Sequence, residues 1–491
     1  GTNNTAVGKS ALQSNTTGAS NTAVGRQALY SNTTADDNTS VGTNSLYANT
    51  TGASNTALGK QSLAANTTAS NNTAVGYYAL AANTTGASNT AVGAEALDAN
   101  TTGSNNVAVG KDALSANTTA SNNTAVGYQA LQDNTAALCC AVGTYALHDN
   151  TTGEGNVAVG YDCLKLNTTA HYNTAVGYEA LSHSTASGNS AFGAFALDDT
   201  TTGGNNTAVG YNTLKANTTG GNNVAVGYTA LDTNTTGGSN VALGTNALTA
   251  NTTASGATAV GFGALASQTT PYYGTAVGYN ALNANTTGTD NTAVGAHALD
   301  ANTTGANNVA VGKSTLTAST TASYNTAVGN SALAANTTGS SNNAFGSQAL
   351  LTVTTGTDNC AFGNNSLKVN TGNNNCGFGK DSLKDNTTGI DNTAYGHNAL
   401  ANNTTASQNV AVGYKSSTTS TTATANVGVG YKSLELTTTG SYNVALGWLA
   451  MDVNTTGTEN TAAGWNSLGS NTTGSFNTSF GGGALDENTT A

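Results

Sequence analysis

Charge is nearly missing from this chain. Only 7% of its 491 residues are charged, and 24 acidic against 12 basic side chains leave a formal net charge of −12, spread thinly and never gathered into a block. Phosphate binding needs a clustered basic face, so nucleic acid is excluded as a partner and a weakly acidic, well-hydrated surface is expected instead. Proline occurs once, at Pro271. Five cysteines (Cys139, Cys140, Cys163, Cys360 and Cys376) are too few to staple a chain of this length. No apolar run is long enough to cross a bilayer as a helix, so no membrane insertion is expected of this stretch. No secretory leader stands at the start either: Gly1 and Ala491 both fall inside repeats, and the chain reads as a segment of a longer protein.

What the chain does have is repetition. The stretch Asn72 to Ser88, NTAVGYYALAANTTGAS, recurs from Asn4 onward in 29 copies, the last cut short. Three copies lose one residue, at Asn123–Leu138, Asn173–Gly188 and Asn359–Asn374. Low charge with high polarity suits disorder, but disordered chains do not keep apolar columns at a strict period. Three or so apolar side chains per copy cannot form a core alone, whereas stacked copies bury them continuously. The expectation is an all-β fold: a single parallel β-solenoid, β-roll or β-helix, over residues 1–491, with 29 stacked coils of about 17 residues. At about 4.8 Å per coil it would be an elongated rod roughly 140 Å long.

The columns of the repeat are numbered from its first residue, Asn4 in the first copy. Columns two to four read Thr-Ala-Val, a short strand by its period of two. Column two exchanges Thr for Val (Val107, Val157, Val224) or Cys (Cys140, Cys360, Cys376), residues of one size, which suggests that it faces inward with the Val of column four. Column five is Gly in every copy, from Gly8 to Gly481, so the backbone there needs positive φ or a close neighbour. Column six is often aromatic, as at Tyr77, Tyr128 and Trp448, and otherwise often Lys or Arg. Column nine is Leu except at Ser417 and Met451 and is the expected main core residue, on a second strand or tight turn. The closing Asn-Thr-Thr-Gly or Asn-Thr-Thr-Ala makes a turn, where each missing residue should be absorbed without loss of strand register.

This T-A-V-G pattern, with Gly closing a short strand at each turn, resembles the head repeats of trimeric autotransporter adhesins. The longer N-T-A-V-G-Y-x-A-L-x-x-N-T-T-G form is similar to repeats of bacterial surface proteins and phage tail fibres. The resemblance covers the whole chain and implies a spacer or binding surface on a cell or virion exterior. It brings no functional residue with it.

Catalytic constellations are absent from the sequence pattern, and no cofactor is expected. The five histidines (His148, His171, His183, His297 and His397) occupy five different columns, so no metal site is expected from them. Gly428-Val429-Gly430 lacks the third glycine of a phosphate loop and reads as a coil corner. Candidate modification sites are the Asn-Thr-Thr acceptors Asn15, Asn32, Asn49, Asn66, Asn83, Asn100, Asn117, Asn150, Asn167, Asn217, Asn234, Asn251, Asn285, Asn302, Asn336, Asn386, Asn403, Asn454, Asn471 and Asn488. The competing reading is an Asn ladder bonded from coil to coil, which would carry no sugar. Cys360 and Cys376 fall in adjacent coils, near enough for a disulfide by Cα distance, although a buried pair of free thiols fits the column better. The functional expectation is an extracellular, non-catalytic fibre or stalk that associates with its own copies end to end, laterally or as a homotrimer. A glycan-binding adhesin and an ice-binding protein are the alternatives.

Overall fold

A strand of three residues cannot stand alone, so the repeat becomes structure only by stacking. The computed structural model describes residues 1–270 and 273–490; Pro271, Tyr272 and Ala491 lie outside it. It is a parallel β-solenoid with one coil per repeat, in two compact segments, Gly1–Asn240 and Val241–Ala491. Among the described residues the first segment carries strands β1 (Thr5–Val7) to β14 (Val224–Val226), the second β15 (Val241–Leu243) to β29 (Thr478–Phe480), and neither holds a helix. Within each segment a strand pairs in parallel with the next in the chain, column on column: Thr73↔Thr90, Ala74↔Ala91 and Val75↔Val92.

The ladder does not stop at the strand. In the coil Asn72 to Ser88, Thr73 N–H donates to Asn89 O and Gly76 N–H to Leu58 O, each at 2.8 Å. Tyr78 N–H then donates back to Lys60 O at 3.1 Å, Leu80 N–H forward to Ala96 O at 3.0 Å and Ala82 N–H forward to Asp98 O at 2.9 Å. At the Asn-Thr-Thr corner, Thr101 O accepts from the N–H of Thr84 and Thr85 (2.9 and 3.2 Å) and from Thr84 Oγ1 (3.0 Å). Backbone polar groups at the corners, which in a loop would need water, are thus paired to the neighbouring coils.

The interior is narrower than the sequence suggests. Leu80, Leu97, Leu114 and Leu131 are fully buried, as expected of column nine. Columns two and four are not: Val107 is 36% exposed and Val109 is half-buried, so the expected inward Val is corrected. Ala108 between them is fully buried and faces the core, as its counterparts do in neighbouring coils. The reason is space. Columns three and eight face each other, so that a Cβ added at Gly377 would lie 2.6 Å from Ser366 Oγ and 3.0 Å from Ser382 Oγ. Only Ala, Ser or Gly fits column three, and the β-branched residues on either side point out.

Two files of asparagine fill the rest of the interior. In column one, Asn89 N–H donates to Asn72 Oδ1 (2.9 Å) and Asn89 Nδ2 to Gly103 O (2.8 Å). In column twelve, Asn100 Nδ2 bridges Asn83 Oδ1 (2.9 Å) and the same Gly103 O (3.0 Å). Buried amides are tolerated because most of their polar atoms find a partner within the coil or one coil away, although a few, Asn72 Nδ2 among them, do not. Where the file is interrupted the cost shows: Val353 follows Asn336, and Asn336 Oδ1 is buried with no hydrogen-bond partner. Replacing Val353 by Asn is expected to restore the bridge and raise stability by about 1 kcal/mol. Chemical denaturation of the variant beside the parent chain checks this, and an unchanged or lower midpoint would count against the ladder.

Backbone handedness closes the coil. Columns seven, nine and seventeen hold non-glycine residues at positive φ, as at Tyr78 (58°), Leu80 (53°) and Ser88 (58°). Column nine is therefore a tight turn, not a second strand. The three short coils keep strand register (Thr124↔Cys140, Thr174↔Ser190, Cys360↔Cys376). In the first of them the Asn134 amide reaches Ala136 O two residues on, where Asn100 reaches three residues on to Gly103, so the missing residue is absorbed in the Asn-Thr-Thr turn.

Candidate functional site

Of the twenty acceptor asparagines, all but Asn15 and Asn488 are buried, their amides engaged or enclosed between coils. A glycosyl transfer to a buried Nδ2 would require its coil to open, and the ladder opposes that. Intact-mass measurement is expected to return the 48.2 kDa polypeptide without a repeating increment; a uniform excess at every Asn-Thr-Thr would contradict the buried file.

The outward surface is built from columns two, four and six. Column two gives half-exposed Thr and Val, column four mostly Val, and column six aromatic rings or cations. Where column four turns aromatic, Phe345, Phe362, Phe378 and Tyr395 stack at 4.5 to 4.7 Å between centroids, within 18° of parallel. In column six His397, Tyr414, Tyr431, Trp448 and Trp465 form a second stack at 5.4 to 6.1 Å. Lys and Tyr interchange there because a Lys can sit over the next ring, as Lys60 does over Tyr77 at 5.5 Å. In these stacks each interior ring spends its faces on its neighbours and shows solvent its edge, so the flat aromatic face that a sugar ring stacks on is covered.

Cys360 and Cys376 are register partners as expected, but on the outward column. They are free and half-buried, their thiols hydrogen-bonded to each other, and burial pushes the Cys360 thiol up to about 11. Cys163 lies inside in column eight, where burial pushes its thiol up to about 12. Neither group is a nucleophile at neutral pH.

Two features escaped the reading of the sequence. Column thirteen is Thr in every repeat, because its hydroxyl donates to the next coil's carbonyl, as Thr84 Oγ1 does to Thr101 O. Column fourteen is Thr wherever the column exists, yet nearly all its members, Thr85 and Thr102 among them, are exposed. The exposed column seventeen, by contrast, varies freely, from Ser54 and Asn71 to Leu138 and Tyr172. An unvarying exposed column was visible in the alignment of the repeats with each other, and turn propensity masked it.

The histidines stay in separate coils, but stacking brings carboxylates of adjacent coils beside two of them. His148 Nδ1 contacts Asp149 Oδ1, and Asp133 stands beside them from the preceding coil. His183 Nδ1 lies 3.3 Å from Asp198 Oδ1, with Asp199 alongside. Burial first, and then the Asp199 charge, push the Asp198 carboxyl above the usual carboxylate range. Near the second group, Asp162, Lys165, Leu166, Glu179, Ser182 and His183 line a depression of about 250 Å³. No family model matches this chain and no curated protein matches it. The functional reading therefore rests on this geometry and on the repeat pattern.

Proposed function

We propose that this chain is a non-catalytic structural element of an extracellular fibre or stalk, one that holds other parts of an assembly away from a surface. The observation that carries the reading is the ladder, in which strand, turn and, in most coils, corner amides bond to the neighbouring coils and two buried Asn files run alongside. That construction resists local opening and gives a protease few accessible loops. The near absence of charge suits variable salt, since little of its stability is open to screening. The resemblance to adhesin-head and tail-fibre repeats supports the same placement, with further copies of the chain as its partners. The aromatic edges weigh against a glycan-stacking adhesin. Antibody raised against the recombinant chain and imaged on the source by immunogold tests the proposal: label on external fibres is expected, and label confined to the cell interior would overturn it.

Ice binding gains one observation as a second reading. The strand Thr of column two faces outward, and the exposed Thr file of column fourteen repeats once per coil. Regular ranks of hydroxyl and methyl groups on a rigid face can order water. Thermal hysteresis in solutions of the chain would favour this reading over the stalk, and its absence would remove it.

A further inference from the structure

We propose that two surface groups in the first segment, Asp133–His148–Asp149 and His183–Asp198–Asp199, each bind one transition-metal dication of the zinc type. This goes beyond the stalk reading and does not depend on it. In each group one imidazole nitrogen and two carboxylate oxygens lie within 4.8 Å of one another. Two ligands of one zinc ion stand at most about twice a 2.0–2.2 Å bond apart, so a small rotation of one exposed side chain completes either set. One imidazole with two carboxylates suits zinc, cobalt or nickel better than calcium or magnesium, which favour all-oxygen sets, and water fills the remaining positions.

The placement of these residues argues that the grouping is not incidental. Both groups are assembled from columns ten and eleven of two successive coils, and the composition is kept while the positions permute. The first has Asp in column eleven facing His-Asp; the second has His in column eleven facing Asp-Asp. Column eleven is otherwise mostly Ala, Ser or Thr and carries a charged residue elsewhere only at Asp385 and Glu487. Both groups also join a short coil to the one after it. The third short coil offers a comparison within the chain: there Val369 faces Lys384 and Asp385, and no such set exists.

Nearby cations do not satisfy these carboxylates. Lys165, on the coil between the two groups, holds its ammonium 3.0 Å from Asp162 Oδ2 and 5.0 Å from the centre of the Tyr145 ring. Lys215, one coil beyond Asp198, lies over Phe195 at 5.0 Å.

Zinc titration of the full chain by calorimetry, in chelator-free buffer, tests the proposal. Two saturable sites per chain are expected, with one lost in His148→Ala, one lost in His183→Ala and both lost in the double variant. His171, His297 and His397 remain in that double variant as controls for adventitious binding. The pair Val369→Asp with Lys384→His rebuilds the set at the third short coil and is expected to raise the count from two to three. No saturable binding, or two sites that survive the double variant, would overturn the assignment.

Discussion

Leu114→Asp is expected to open the solenoid at its own coil. Leu114 is fully buried between Leu97 and Leu131, equally buried in the coils on either side, and the Ala of columns three and eight leaves no path by which a carboxylate could reach water. The change removes a large apolar side chain and buries an unpaired charge, together about 5 kcal/mol or more. Leu114 also sits at a φ of 56° and donates its N–H to Ala130 O, so a coil forced open there loses ladder bonds as well as packing. In a stacked array each coil contacts only its neighbours, so the damage stays local. Limited proteolysis is expected to cut the variant near residues 106–122 and leave protected fragments on both sides, where the parent chain resists. A variant as resistant as the parent would remove Leu from the core.

Gly110→Ala is expected to be nearly as severe, for a reason in the backbone. Gly110 has a φ of +139°, and a Cβ built on it would stand 2.2 Å from Gly127 O. The conformation alone costs an alanine about 3 kcal/mol. The clash comes on top, and it falls on a carbonyl of the next coil, which cannot swing away without breaking register. Val109→Ala, on the outward half-buried column beside it, is expected to cost under about 1 kcal/mol. Thermal unfolding of the two variants side by side checks the contrast, and equal losses would show that column five has no special backbone role.

The Leu and Gly columns were legible because each makes a demand no other residue type meets. The corner that absorbs the missing residue was legible for a similar reason, since only turn chemistry tolerates a change of length. The facing of Thr-Ala-Val was not. A period of two over three residues has no phase of its own, and hydrophobicity placed Val inside. The phase is set by the width of the interior, which Leu, Ala and the Asn files already fill, and that width belongs to the stack, not to any one repeat. The Asn files were half legible: Asn before Thr reads as a turn residue, and a buried amide becomes favourable only when an identical one lies a coil away. The left-handed leucines left no trace in the sequence, because Leu has no preference for that conformation. The His–Asp groups were missed because histidines were compared only with histidines, whereas stacking brings unlike columns of adjacent coils together.

Hydrogen exchange read residue by residue, by mass spectrometry with electron-transfer fragmentation, tests most directly whether the ladder runs round the coil. In the coil Asn72 to Ser88 the turn amides of Tyr78, Leu80 and Ala82 and the corner amide of Thr84 all donate to neighbouring coils, as the strand amide of Thr73 does. All five are expected to exchange at comparable, slow rates. Protection confined to Thr73 and its strand, with Tyr78, Leu80, Ala82 and Thr84 exchanging like free loops, would contradict the account.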